Sequence, residues 1–385
     1  MEKVVKTLIK KLLFALSSLS LRSDKIFVFG AWFGKRFSDN PRYLLDELLE
    51  SNKFKGIKLV WIGRKEVYSD ISDKRIVFVR RNSIKALWYQ LRAKYFFVSH
   101  GYQDIGSFSL LKGSVVVQLW HGFPIKRIGA DDPQNSGEGE ETYEEYQYFL
   151  ANSKVMAKRI QSAFKNYGAN EHNTILAEQP RVDYLLKNQS NKTLKSKIKS
   201  KLRIPEDKKI LTYLPTFRDN TEDTFSFSKR NNELLRHFLR ANNMVVLERQ
   251  HFARDFTNEE INIRGPEFTI LREDIEVQDV LLVTDYLVTD FSSVYVDYLA
   301  LDRPIIHFLY DGEKFIENDR GIYAKDPYLE FAGPVVYSVD ELIATISGHL
   351  GDFDSYRADF VSRVEVLQQK TFLSQFSDII AHKHE

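Results

Sequence analysis

Short apolar runs separated by helix-length stretches constrain this chain more than any other feature. From residue 25 onward KIFVFG (25–30), KLVWIG (58–63), RIVFV (75–79), YFFVS (95–99) and VVVQLW (115–120) follow one another. Each is too short to be a helix and rich in β-branched and aromatic residues. Strands that are apolar throughout, rather than alternating in polarity, are buried on both faces, which means parallel sheets covered by helices on each side. The pattern returns in KILTYLP (209–215), MVVLER (244–249), YLVTD (286–290) and PIIHFL (304–309). At 385 residues the chain exceeds what one core usually serves. The fold class expected is therefore α/β, two Rossmann-like domains facing across a cleft, with ligands at the carboxyl ends of the strands.

Polar stretches mark the divisions. Asp131–Tyr146 is acidic and almost free of aliphatic residues, and reads as a surface loop. Lys187–Lys209 separates the two α/β blocks. The expected organisation is a basic amphipathic helix at 1–22, a first domain at 23–190, a second at 191–370, and a C-terminal helix at 371–385 that crosses back to the first. In the first segment Val5, Leu8, Ile9, Leu12, Leu16 and Leu19 share one helical stripe and Lys3, Lys6 and Lys10 the opposite side, with Phe14 among the polar residues. Such a helix lies in an anionic membrane interface or packs on the core. Ser38, Asp39 and Asn40 before Pro41 read as a helix cap with proline in the first turn.

The formal charge is only +2, which gives no overall signal for a polyanion partner, and no nucleic-acid reader motif is present. The absence of cysteine excludes disulfides and thiolate-bound metals and fits a cytoplasmic protein. No apolar run is long enough to span a bilayer. The Asp-x-Asp at Asp352 and Asp354 lies away from every strand end and reads as solvated surface, so no metal site is expected.

Four segments carry chemistry. In VVVQLWHGFPIKRIG a buried strand leads into His121, followed by Gly122, Pro124, Lys126 and Arg127; a histidine exposed at a strand end suits general-base work near neutral pH. In LTYLPTFRDN the strand ends at Pro215, and Thr216 and Arg218 supply phosphate donors. In VVLERQHF, Arg249 and His251 lie two apart on extended chain and point the same way. In DYLVTDFSSVYVDYL a strand runs into Asp290, and Ser292 and Ser293 open a helix whose N-terminus suits phosphate. Each also has a bland reading as a structural histidine, a strand-end turn, a surface edge or an N-cap.

Taken together and in order, WHGFPIKRIG, the stretch Asn152–Leu185 with PRVDYL, YLPTFRD and VTDFSSVYVDYLALDRPIIHF resemble the CDP-glycerol glycerophosphotransferase family, which builds wall teichoic acids and related capsular polymers. The resemblance spans about residues 25–345. It implies a GT-B-like fold with the acceptor side in the first domain and the CDP-alcohol in the second. It makes His121 the catalytic base of the WHG motif, His251 a second functional histidine near the donor phosphates, and Ser292 and Ser293 the phosphate-binding pair. Arg218 matches the Pro-Thr-Phe-Arg motif. Donor contacts are then expected from Thr216, Arg218, Arg249, Asp290, Ser292 and Ser293, and acceptor or inter-domain roles for Gly122, Lys126, Arg127 and Arg181. Two positions depart from the family pattern: Phe252 stands where a proline follows the histidine, and Glu178 where a glycine precedes PRVD.

The function implied is transfer of glycerol phosphate, or a related polyol phosphate, from a CDP-alcohol to the terminal hydroxyl of a lipid-linked polymer or primer, releasing CMP. CDP-glycerol or CDP-ribitol would be substrate rather than cofactor, and no cofactor is expected. The enzyme would sit on the cytoplasmic face, at the inner leaflet of the plasma membrane. Competing readings are a ribitolphosphotransferase, a GT-B glycosyltransferase using a nucleotide sugar, and a non-catalytic module that binds anionic polymers.

Overall fold

In the first unit the apolar runs become β1 (Ser23–Gly30), β2 (Lys58–Gly63), β3 (Ile76–Arg80), β4 (Ala93–Val98), β5 (Val115–Gln118), β6 (Tyr148–Ala151) and β7 (Thr174–Leu176). They form one sheet in the order β3-β2-β1-β4-β5-β6-β7, every neighbouring pair parallel. The strand order reverses between β1 and β4, the topological switch point of a doubly wound sheet. The computed structural model describes residues 2–134, 146–216, 225–230, 232–249, 265–272, 275–312, 321–348, 352–366 and 370–381.

The second sheet is built from β8 (Lys209–Tyr213), β9 (Met244–Glu248), β10 (Phe268–Ile270), β11 (Tyr286–Thr289), β12 (Ile305–Phe308) and β13 (Val335–Val336). Its order is β10-β9-β8-β11-β12-β13, again all parallel, with the reversal between β8 and β11. The chain divides into two compact units, one of Met1–His121, Ile128–Asp183 and Val364–Glu385, the other of Gly122–Arg127 and Tyr184–Arg363. Two parallel-sheet α/β domains of Rossmann order place this chain in the GT-B-like class.

Both cores are aromatic. Phe27, Phe29, Trp61, Tyr95 and Phe97 cover one face of the first sheet, and the C-terminal helix Phe372–Ala381 closes it. Phe376 meets the rings of Tyr95 and Phe97 edge-on at 5.8 and 5.2 Å. In the second unit Tyr213, Phe225, Phe227 and Phe308 form the corresponding cluster.

Of the two arrangements its pattern allows, the N-terminal helix Glu2–Leu16 does not pack its leucine stripe on the core. Phe14, placed on the polar side by the periodicity, is the docking residue at 6% exposure, whereas Leu8 and Leu12 stand 61% and 60% exposed. Ile9, Leu16, Leu19 and Leu21 are exposed too. Just beyond the helix Arg22 anchors the segment. Its Nη1 donates to the carbonyls of Gln90 (2.7 Å) and Ala93 (2.9 Å), and its Nη2 to those of Leu110 (2.8 Å) and Lys112 (3.0 Å).

Candidate active site

β4 and β5 are neighbours, and both end in a His-Gly pair, Ser99-His100-Gly101 and Trp120-His121-Gly122. The two imidazoles stack, with ring centroids 4.0 Å apart and planes 3° from parallel. The Trp120 ring also lies 4.0 Å from His121, tilted by 32°. His121 Nδ1 lies 3.0 Å from the carbonyl oxygen of Ser99. A carbonyl can only accept, so Nδ1 carries the proton and Nε2 of the neutral ring keeps its lone pair. That is the tautomer a general base needs.

The turn presenting His121 is strained and braced. Trp120 has φ +56°, and Trp32, Phe33 and Asp39 also sit at positive φ (49°, 56° and 65°). Non-glycine residues hold such angles only where the surroundings over-determine them. Asn40 Nδ2 donates to the carbonyls of Leu119 (3.1 Å) and Trp120 (2.9 Å). Arg181 Nη1 donates to the carbonyl of His121 (2.6 Å) and to Asp39 Oδ1 (2.9 Å), while Trp32 Nε1 donates to Asp39 Oδ2 (3.1 Å). The helix therefore starts at Asp39, Ser38 makes no side-chain cap bond, and the Asp39–Asn40 pair serves the histidine turn instead of capping. Arg181 likewise braces that turn from within the first unit.

Asp104 braces the other histidine. Its carboxylate accepts from the backbone N–H groups of Phe33 (2.7 Å), Ser99 (2.9 Å) and His100 (2.8 Å). Burial pushes this carboxyl up to about 6, with those N–H bonds opposing the shift. Gly30, at the end of β1, makes room for the turn: a Cβ there would lie 2.6 Å from Ile105 Cγ2 and 3.1 Å from the Asp104 carbonyl.

At the second switch point β8 and β11 end side by side. Asp290 Oδ1 accepts from Thr216 N (2.7 Å), Thr216 Oγ1 (2.6 Å) and Ser292 N (3.2 Å). Asp290 and Thr216 were expected as donor-phosphate contacts. The Asp290 carboxylate is fully buried and ties two strand ends together, and Thr216 directs its hydroxyl at that carboxylate, so both shape the turn. The helix after the serines is one short turn, Val294–Tyr298, continued by the 3-10 turn Leu299–Leu301. Ser292 and Ser293 are half-buried, and no other described residue engages their hydroxyls.

His307 of β12 holds this turn from behind. Its Nδ1 donates to the carbonyl of Asp290 (2.9 Å), and its Nε2 accepts from Ala332 N–H (3.2 Å). Burial lowers this imidazole to about 4, and its contacts with Asp290 oppose that shift. A folded value below the unfolded 6.5 contributes stability that is present above pH 6.5 and lost as pH falls through about 4. Between those limits the contribution changes by about 3 kcal/mol. Urea midpoints measured from pH 7 to 4 should therefore fall more steeply in the wild type than in His307→Gln, which takes up no proton; parallel curves would remove His307 from this role.

The remaining expected residues are dispersed. Arg249 Nη2 donates to the carbonyl of Ile275 (2.6 Å), an anchoring contact within the second unit. Arg127 pairs with Gly321 and Ile322 through its N–H (3.0 Å) and Nε (3.2 Å), and Lys126 forms a bridge with Ile322. Gly122 opens that same short stretch. Arg218 and His251 lie outside the described residues. Glu248 was not anticipated: buried at the end of β9, it accepts from Ser226 Oγ (2.8 Å) and from the N–H groups of Phe227 (2.9 Å) and Ser228 (3.3 Å). His100 was not anticipated either, though VSHG repeats the strand-then-His-Gly pattern of QLWHG.

A sequence model of the family described as CDP-glycerol:poly(glycerophosphate) glycerophosphotransferase matches residues 12–370. The chain belongs to this glycerophosphotransferase family. It is 30% identical over 366 residues to the teichoic acid poly(glycerol phosphate) polymerase of Bacillus spizizenii, covering 88% of this chain and 87% of that one. Against the teichoic acid glycerol-phosphate transferase of Staphylococcus aureus it is 29% identical over 395 residues, covering 95% of each. The solved wall teichoic acid polymerase TagF superposes with a TM-score of 0.75 at 22% identity, over 99% of this chain and 95% of that one. The glycerophosphotransferase fold is thus the two-sheet build described above, with His100 and the Asp290 turn at strands flanking the two switch points and His121 on the strand next to that of His100.

Proposed function

We propose that this chain transfers glycerol phosphate from CDP-glycerol to the terminal hydroxyl of a lipid-linked acceptor in teichoic acid or capsular polymer synthesis. The observation that carries the mechanism is the contact of His121 Nδ1 with the Ser99 carbonyl, which puts the proton of the neutral ring on Nδ1 and leaves Nε2 as the basic nitrogen. His121 Nε2 takes the acceptor's hydroxyl proton as that oxygen forms its bond to the β-phosphorus; the bond from phosphorus to the bridging oxygen breaks, and CMP leaves with the electron pair. The hydroxyls of Ser292 and Ser293 hold donor phosphate, with Arg218 and His251 as further donor contacts. Such a transfer depends on positioning and charge stabilisation more than on covalent chemistry. The test is release of nucleotide from CDP-glycerol, CDP-ribitol and a UDP-sugar in the presence of a lipid-linked acceptor. CMP should appear with CDP-glycerol above the other two, and a preference for either of the others would overturn the assignment.

The acceptor's lipid places the enzyme at a membrane. No helix among the described residues is long and apolar enough to cross one. The outward Leu8, Ile9, Leu12 and Leu16, on a helix that also carries Lys3, Lys6, Lys10 and Lys11, and Leu19 in the 3-10 turn after it support docking on the anionic inner leaflet. Wild-type protein should sediment with phosphatidylglycerol vesicles, and a Leu8→Glu/Leu12→Glu double variant should bind them about 10-fold more weakly or worse. Because both positions are exposed, its thermal midpoint should not move. Equal sedimentation of the two proteins would rule this face out.

A further inference from the structure

His100 has no part in the transfer as written so far, yet its ring is packed among aromatic and polar groups. Its side chain is 11% exposed. The rings of Trp32 and Phe33 lie 4.6 and 4.8 Å away, Ser99 Oγ is 2.8 Å from Nδ1, and the Asp104 carboxylate is 3.8 Å from the same nitrogen. Its backbone N–H is fixed by Asp104. Burial holds this imidazole far below its ordinary range, and charge on His121 would depress it further, so the ring is neutral at any pH at which the enzyme works.

We propose that His100 is a positioning residue for the general base: its ring, parallel to His121 at 4.0 Å, sets the plane of that imidazole and stabilises the imidazolium formed when His121 takes the acceptor's proton. A cation is attracted by aromatic rings packed against it, and the Trp120 ring lies as close to His121 as that of His100 does, at 4.0 Å. The charge exists only once the proton has moved, so the stabilisation belongs to the transition state and not to bound substrate. His100 itself gains and loses no proton; the acceptor's proton ends on His121 Nε2 and leaves to solvent after CMP departs. A positively charged side chain at position 100 would oppose the same step. The stack also explains why Asp104 and Gly30 are built around the end of β4, where they secure the ring that backs the base.

The inference rests on the reading of His121 as base. Full-length wild type, His100→Ala and His100→Phe would be compared for CMP release from CDP-glycerol with a lipid-linked acceptor. Removing the ring should lower kcat about 10–100-fold with KM for CDP-glycerol within about 2-fold, a loss confined to the transition state. Phenylalanine restores a neutral aromatic face without nitrogens and should recover most of that loss. Wild-type kcat in His100→Ala would overturn the proposal. Equal loss in both variants with intact folding would also overturn it, since it would make the nitrogens, not the stack, the functional part. Should neither variant fold, NMR of the wild-type histidine rings decides: ring-current-shifted His121 protons and a protonated Nδ1 are expected, and unshifted protons would overturn the stack. A wild-type enzyme that releases no CMP would instead sink the reading of His121, which keeps the two failures distinct.

Discussion

A His121→Ala enzyme should release CMP from CDP-glycerol roughly 10²–10⁴-fold more slowly than wild type, the range that general-base assistance usually supplies. The reasoning begins with the tautomer. Because Nδ1 is committed to the Ser99 carbonyl at 3.0 Å, Nε2 is the nitrogen that accepts a proton, and alanine removes it without touching the sheet behind it. The WHG turn should survive, since Asn40 and Arg181 grip its carbonyls and not the imidazole. The loss should therefore appear in kcat, with KM for CDP-glycerol little changed, as expected of a group that acts only as the proton moves. Thermal midpoints for variant and wild type should agree closely. A His121→Ala protein with wild-type turnover would remove this residue from the chemistry, whatever the family relationship.

What the sequence made legible divides along a physical line. Nine of the thirteen strands among the described residues were legible, because a strand buried on both faces must be apolar throughout, whereas the short β6, β7, β10 and β13, of two to four residues, leave too brief a run to stand out. The places of His121 and of Ser292 and Ser293 at strand ends were legible for a related reason: each lies just beyond an apolar strand. Braces between distant positions were not. Asp39 and Asn40 look like any helix cap, and their partners lie far along the chain, 142 residues away for Asp39 with Arg181 and 80 for Asn40 with Trp120. The bond between Asp290 and Thr216 was not legible either, because a polar residue at a strand end carries no mark of the other strand end it reaches. The pattern puts Phe14 on the correct side of its helix, opposite the leucines, but which side docks was not legible. Periodicity identifies the apolar stripe of a helix but does not say which side meets the protein, and here a single phenylalanine and Ser17 dock while the leucine stripe faces out.

The brace between Asp39 and Arg181 gives the second large effect, and it separates stability from chemistry. Both side chains are almost fully buried, 5% and 8% exposed. Arg181→Met should destabilise the first unit by about 3–5 kcal/mol, because it leaves a carboxylate buried with only the Asn40 N–H and the Trp32 indole N–H as partners. It also frees the His121 carbonyl, so the turn at φ +56° on Trp120 loses one of its restraints and catalysis should fall with it. Adding Asp39→Asn removes the stranded charge and should return part of the stability, since a buried ion pair replaced on both sides costs far less than one broken on one side. Activity should not return, because neither replacement donates to the His121 carbonyl. Arg181→Lys would not be a mild alternative: a single ammonium cannot reproduce the fork that reaches Asp39 and the carbonyl together. Urea unfolding and CMP release on the same three proteins would test both claims. If the double variant recovered activity together with stability, Arg181 would be a structural residue alone; if Arg181→Met were as stable as wild type, the ion pair would not hold the turn at all.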